Sequence, residues 1–202
     1  MLIKDGGLVK TIQFDNPKYV GDPINAVRIF NEKCVDELIV LDIDATVKDK
    51  DPDLKMIDNL ATECRMPLCY GGGIKTVEQI HEIIGLGVEK VSLSSAAIEN
   101  HEIVRNGAKF VGNQSIVVTL DVKKTNNNYY VYTRNGKNNT KLDPVDLVKD
   151  FQAFGAGEIV INSIDHDGIM KGYDINLIEK INDIANIPIT VVGGAGTLGD
   201  IG

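Results

Sequence analysis

The run "SIVVTLDV" carries one acid, Asp121, among the apolar neighbours Val118, Leu120 and Val122. A carboxyl at a strand end in such company is pushed toward neutral pKa by desolvation and can then give and take protons. Spacing alone equally allows an ion pair with Lys123 or a loop cap. Two glycine-rich turns, "GGGIKT" from Gly71 and "GGAGT" from Gly193, each precede a helix start. Their free N–H groups and the positive end of the helix dipole suit an anion, whereas the bland alternative is tight packing of strand on helix. The two turns are copies of one pattern. "LDIDA" (41–45) matches "SIDHDG" (163–168) at nearly the same offset, and "MLIK" matches "TLDVK", which sets Leu2 against Asp121. A pair of repeat-related anion sites predicts a ligand with a phosphate at each end. Asp42 and Asp167 suit ribose hydroxyls or backbone donors. His166 reads as solvated, and His81 and His101 as structural.

A second set is purely electrostatic. Glu37, Lys90 and Glu158 each stand at the first turn of an apolar run. Alternate strands of a barrel contribute to one interior layer, so the three either meet as a charged ring at the floor or sit exposed where strands emerge from loops.

The elements that must position these groups follow one rhythm. "DELIVLDI", "PLCYGGG", "KVSLS", "SIVVTLDV", "EIVINS" and "PITVVGG" read as buried strands, separated by helices such as "TVEQIHEIIGLG" and "DPVDLVKDFQAFG". The first of these helices opens with a Thr76 to Gln79 capping box, and the second has Asp143 as cap, Pro144 at its first position and Gly155 past its end. Strand and helix alternating at this spacing mean parallel βαβ units and a (β/α)8 (TIM) barrel built of two half-barrel repeats. One domain spans 1–202, with a small β-hairpin inserted at about 124–141 around an Asn135-Gly136 turn. "MLIKDGGLVK" reads as the tail of strand one running into a loop. Residues 115–120 precede Asp121 in its strand, whereas only Met1 precedes Leu2, and the chain stops at Gly202. The expectation is an incomplete barrel lacking most of strand one and all of strand eight, against about 250 residues for a typical barrel.

Composition excludes some partners. The net charge of -8 argues against nucleic acid, whose binding rests on clustered Lys and Arg. The 3 cysteines, Cys34, Cys64 and Cys69, have no metal-ligand spacing and read as thiols of a reducing compartment. No run is long and apolar enough to span a membrane. The expectation is a cytoplasmic protein without metal or cofactor.

Taken together, "KDGGLVK", "GDP", "DELIVLDIDA", "YGGGIKT", "KVSLSSAAIEN", "LDVK", "GAGEIVINSIDHDGIMKGYD" and "VVGGAGTL" resemble the cyclase subunit of imidazole glycerol phosphate synthase over essentially the whole chain. The resemblance implies a barrel that holds a bisphosphorylated ribosyl substrate by both ends and takes ammonia from a glutamine amidotransferase docked as a heterodimer on the floor. It closes the imidazole ring and releases an aminoimidazole carboxamide ribotide. By that likeness Gly73, Ser94 and Ser95 would hold one phosphate, and Asp167, Gly168, Gly193 and Gly194 would help hold the other. Asp121 would be a catalytic acid/base, Lys10 the loop lysine that closes over substrate, and Glu37, Lys90 and Glu158 members of the ammonia gate. The sequence departs from the family pattern in three places. Leu2 replaces the aspartate that partners Asp121, Ser94-Ser95 replaces Asn-Thr, and Ile169 replaces a common hydroxyl. The Leu2 change, with the "GGLVKT" spelling, is similar to paralogues that pair with a glutaminase and aminate a nucleotide-sugar in surface-polysaccharide synthesis, and the other two changes weaken the implied phosphate contacts. A barrel that only binds a glutaminase is a third possibility.

Overall fold

A computed structural model describes residues 1–200. Strands β1 (Leu2–Lys4), β2 (Gly7–Ile12) and β3 (Asp15–Gly21) open the chain, followed by helix α1 (Pro23–Glu32) and β4 (Leu38–Asp42). Then come α2 (Leu54–Glu63), β5 (Leu68–Gly71), α3 (Val77–Gly85), β6 (Lys90–Leu93), α4 (Ser95–Glu99) and α5 (Glu102–Val111). The second half holds β7 (Ile116–Thr125), β8 (Asn128–Thr133), β9 (Asn138–Asn139), α6 (Pro144–Phe154), β10 (Glu158–Ser163), α7 (Ile175–Asn182) and β11 (Ile189–Val192).

The sheet runs β11-β10-β7-β6-β5-β4-β1-β2-β3. From β11 to β1 every neighbour is parallel. These strands curl as an incomplete (β/α)8 barrel, and among the described residues β11 and β1 do not pair. Parity explains why the strands read as unbroken apolar runs: they are covered on both faces. Leu68, Tyr70, Ile116, Val118, Ile159 and Ile161 face the helices, where Ile57, Ile83, Val104, Val148, Phe151 and Ile181 complete the main core. The alternate residues Cys69, Val117 and Val160 point to the barrel axis and form, with Ile39, a separate apolar collar.

Local signals set the helix ends. Asp22, Asp53, Asp143 and Asp174 cap α1, α2, α6 and α7 by accepting a backbone N–H of the first turn. Thr76 and Gln79 make the full capping box on α3, and Gly155 ends α6 in the left-handed conformation.

Two expectations need correction. Residues 7–21 are not a loop: β2 and β3 form an antiparallel hairpin that continues from β1, so β1 lies between β2 on one side and β4 on the other. The inserted hairpin is present, but its first turn is Asn126-Asn127, both at positive φ, which lets β7 run on to Thr125 and pair with β8. Asn135-Gly136 makes the following turn, between β8 and β9. Asparagine tolerates the left-handed region almost as Gly does, so both sites satisfy the turn chemistry.

Candidate active site at the barrel mouth

A cavity of about 270 Å³ opens at the C-terminal ends of the strands, walled by Leu2, Asp42, Gly73, Ser94, Asp121 and Asn162 among others. Asp121 is partly buried at its base, where Asn162 Nδ2 donates to its Oδ1 at 3.1 Å. Burial pushes the Asp121 carboxyl up to about 7, against the pull of the Asn162 hydrogen bond and with added repulsion from Asp167. A carboxyl poised there can act in both proton-transfer directions near neutral pH. Asp42 is also raised by burial, although its Oδ1 accepts the backbone N–H groups of Asp44 at 2.9 Å and Ala45 at 3.1 Å.

The first glycine turn and the two serines share this cavity. Gly73 N–H reaches Thr46 Oγ1 at a long 3.3 Å, and Ser94 Oγ is buried without a hydrogen-bond partner among the described residues. Ser95 Oγ accepts the backbone N–H of Arg134 at 3.0 Å, which ties the strand end to the β8–β9 turn. Gly73 sits at φ +74, and a Cβ there would lie 2.8 Å from Lys50 O, so no other residue fits.

The second half of the expected site is arranged differently. Asp167 lines the cavity, but its Oδ2 already accepts Thr11 Oγ1 at 2.7 Å and Phe14 N–H at 3.1 Å. Its carbonyl accepts Gln13 N–H at 2.9 Å. Asp167 thus clamps the β2–β3 hairpin across the mouth, and Asp165 holds β7 in place through Lys124 N–H at 2.8 Å. Gly168 permits the clamp: a Cβ at its φ of +68 would lie 2.3 Å from Thr11 O. Gly168, Gly193 and Gly194 lie outside the lining of the Asp121 cavity, and the Gly194 carbonyl accepts Gly172 N–H at 2.9 Å in a close backbone crossing that leaves no room for a Cβ on Gly194. Lys10 is exposed on β2 opposite Lys18, on a hairpin strand rather than a loop.

At the opposite face the charged set does meet. Lys90 Nζ lies 2.9 Å from Glu37 and 2.8 Å from Glu158, and Thr190 Oγ1 donates to Glu158 at 2.6 Å. Burial opposes the Lys90 charge, yet the two carboxylates hold its pKa above the usual lysine value. Above this ring stands the apolar collar, and the mouth cavity reaches it, since Ile39 and Val160 belong to both. The thiol of Cys69 in the collar is pushed up by burial. Between ring and mouth, Ser92 and Thr119 share a buried hydroxyl hydrogen bond of 2.6 Å.

Sequence reasoning missed Asn162, Ser92, Thr119 and the roofing pair Thr11 and Phe14. The first three had a signal, a polar residue inside an apolar run at the inward parity of Glu158, Lys90 and Asp121. Among the described residues no cluster of three or more His, Cys, Asp or Glu is placed to hold a metal, and no helix is long and apolar enough to cross a membrane.

Comparison with known proteins bears on these features. The family described as "Histidine biosynthesis protein" matches residues 1–202. The chain is 54% identical over 203 residues to the "Putative imidazole glycerol phosphate synthase subunit HisF" of Leptospira interrogans, covering 100% of this chain and 80% of that protein. It is 55% identical over 203 residues to the "Putative imidazole glycerol phosphate synthase subunit hisF3" of Vibrio vulnificus (strain YJ016), covering 100% of this chain and 78% of that one. The "Imidazole glycerol phosphate synthase subunit HisF" of Sulfurisphaera tokodaii is 41% identical over 196 residues, covering 97% of this chain and 79% of that protein. An incomplete, mostly parallel barrel agrees with these matches, and the chain belongs to the histidine biosynthesis protein family, among the HisF subunits of imidazole glycerol phosphate synthase.

Proposed function

We propose that this chain is an ammonia-using cyclase subunit that forms imidazole glycerol phosphate and an aminoimidazole carboxamide ribotide from a bisphosphorylated ribosyl substrate. The observation that carries the reading is the Asp121 carboxyl, raised to about 7 at the base of a cavity that extends toward a Lys90–Glu37–Glu158 ring on the far face. Asp121 moves protons during ring closure. Gly73, Ser94 and Ser95 hold one phosphate, the free Ser94 hydroxyl and the weakly paired Gly73 N–H being the donors that an anion would take up. The other phosphate lies toward Gly168, Gly193 and Gly194, with Asp167 keeping the hairpin over it and Lys10 bringing a cation to the rim. A glutamine amidotransferase docks at the floor as the heterodimer partner, and the charged ring admits its ammonia.

The test is turnover with ammonium salt as the nitrogen source, wild type against Asp121→Asn. Loss of turnover with retained binding of the bisphosphorylated ligand is expected. Equal turnover, or equal affinity for either monophosphate half and the whole ligand by calorimetry, would overturn the assignment.

A specific observation favours a second reading. Leu2 occupies the cavity wall where the family pattern has an aspartate, and the chain is 48–55% identical to relatives named with a qualifier against 40–41% to several named HisF outright. This supports a paralogue that feeds the same ammonia to a nucleotide-sugar. Binding of a nucleotide-sugar together with no turnover of the histidine-pathway substrate would select it.

A further inference from the structure

We infer that Asn162 seats the incoming nitrogen: its carboxamide oxygen accepts an N–H of ammonia beside Asp121, at the inner end of the mouth cavity. This rests on the reading that the chain uses ammonia. Asn162 is 6% exposed and lines the cavity. Its Nδ2 is committed to Asp121 Oδ1 at 3.1 Å, which fixes the orientation of the amide when Asp121 is ionised. That leaves Oδ1 buried and without a partner among the described residues. Buried acceptors are nearly always paired, so a buried acceptor left without a partner on a residue that lines the cavity points to a donor that arrives from outside the chain.

The position of this oxygen indicates which donor. Glu158, Val160 and Asn162 share the inward face of β10, one above another, so a single strand carries the charged ring, the apolar collar and the open acceptor. The register pairs Asn162 with Asp121, Val160 with Thr119 and Glu158 with Val117. A small molecule rising from the floor past Val160 therefore meets Asn162 Oδ1 and the Asp121 carboxyl together. Ammonia has N–H donors for both and keeps its lone pair for attack. An amide suits the second acceptor because it adds no charge. A second carboxylate would favour ammonium, which has no lone pair.

Asn162→Leu keeps the side-chain size and removes both amide contacts. With saturating phosphorylated substrate, its KM for ammonia is expected to rise roughly 3- to 10-fold, the range of one hydrogen bond. The KM for the phosphorylated substrate should stay within about twofold of wild type, and Asn162→Ser, which returns an oxygen, should recover part of the loss. A second measurement does not depend on turnover: ammonium chloride titrated into 15N-labelled chain should move the Asn162 side-chain amide resonance saturably. Turnover with an unchanged ammonia KM in Asn162→Leu, or an amide resonance that ammonium leaves unmoved, overturns the nitrogen seat and leaves the functional reading standing. A rise confined to the KM of the phosphorylated substrate gives the oxygen to a substrate donor and also overturns it. A saturable shift without turnover of the histidine-pathway substrate keeps the seat and refutes that substrate. If Asn162→Leu melts below the assay temperature, the same comparisons are made with Asn162→Ser, whose shorter oxygen should still raise the ammonia KM.

Discussion

Replacing Asp121 by asparagine keeps the shape of the side chain and removes its titration, and the structure gives a sign and a size for the effect on stability. The carboxyl is lifted from 3.8 to about 7 chiefly by burial. Between those values the folded protein binds a proton that the unfolded chain has released, so wild-type stability falls as pH rises through this window and is level above it. About three tenfold steps at 1.36 kcal/mol each amount to roughly 4 kcal/mol, an upper value that water reaching the carboxyl through the cavity reduces. Asp121→Asn carries no such cost. The difference in unfolding free energy, variant minus wild type, should be near zero at pH 4 and grow to about 2–4 kcal/mol by pH 8. The assay is urea unfolding of both proteins across that range, with the difference taken at each pH. Subtraction removes the titration of Asp42, which both proteins keep. The Asn162 hydrogen bond to Oδ1 survives the change, and its preference for the ionised carboxyl is already contained in the value of about 7. A difference independent of pH would show that Asp121 titrates as an ordinary aspartate, and the case for a proton-transfer group at this position would fall with it.

Other perturbations probe the remaining features. Lys90→Glu places three carboxylates at the floor and should uncouple glutamine hydrolysis from product formation while ammonia-driven turnover persists; a parallel loss of both activities would refute the gate. Leu2→Asp should raise ammonia-dependent turnover of the histidine-pathway substrate, by up to the factor of about 10² to 10⁴ that a positioned acid/base group contributes. Full activity of the leucine form, measured in the same assay, would contradict this. Gly168→Ala forces a Cβ toward Thr11 O and strains a residue at φ +68, so limited proteolysis should cut residues 7–21 faster than in wild type. Unchanged cleavage there would remove the clamp from the argument.

The barrel was legible because its strands are buried on both faces and its helices carry their own stop and start signals. Asp143, Pro144 and Gly155 delimit α6 in sequence and in space, and Glu37, Lys90 and Glu158 were found by the parity that brings them together. What escaped was the roof. The strand Asp15–Gly21 is exposed along nearly its whole length and shows no buried face, so nothing apolar announced it. Its hairpin is fixed instead by polar contacts to Asp165 and Asp167, as much as 156 positions away. No local pattern encodes such a pairing. Gly168, Gly193 and Gly194 stand at close backbone approaches to Thr11 O, Ser163 O and Gly172 O, and because such approaches ask for the same residue that phosphate binding does, the sequence pattern alone did not reveal them.

The clamp has a consequence in time. Contacts between residues 11–14 and 165–167 can form only after β10 has joined the sheet, because loop closure over so long a span needs its endpoint already in place. The hairpin strands pair locally and early, but their seat is built by the last half of the chain to fold. In the native state these few hydrogen bonds hold the tip of the hairpin beyond its pairing with β1, so the tip can lift while β4 to β7 stay intact. Amide hydrogens of Thr11 to Phe14 should therefore exchange through a small, frequent opening, and those of Val118 to Leu120 only through loss of the barrel itself. Access to the cavity would then be set by a local equilibrium that leaves the sheet beneath it undisturbed.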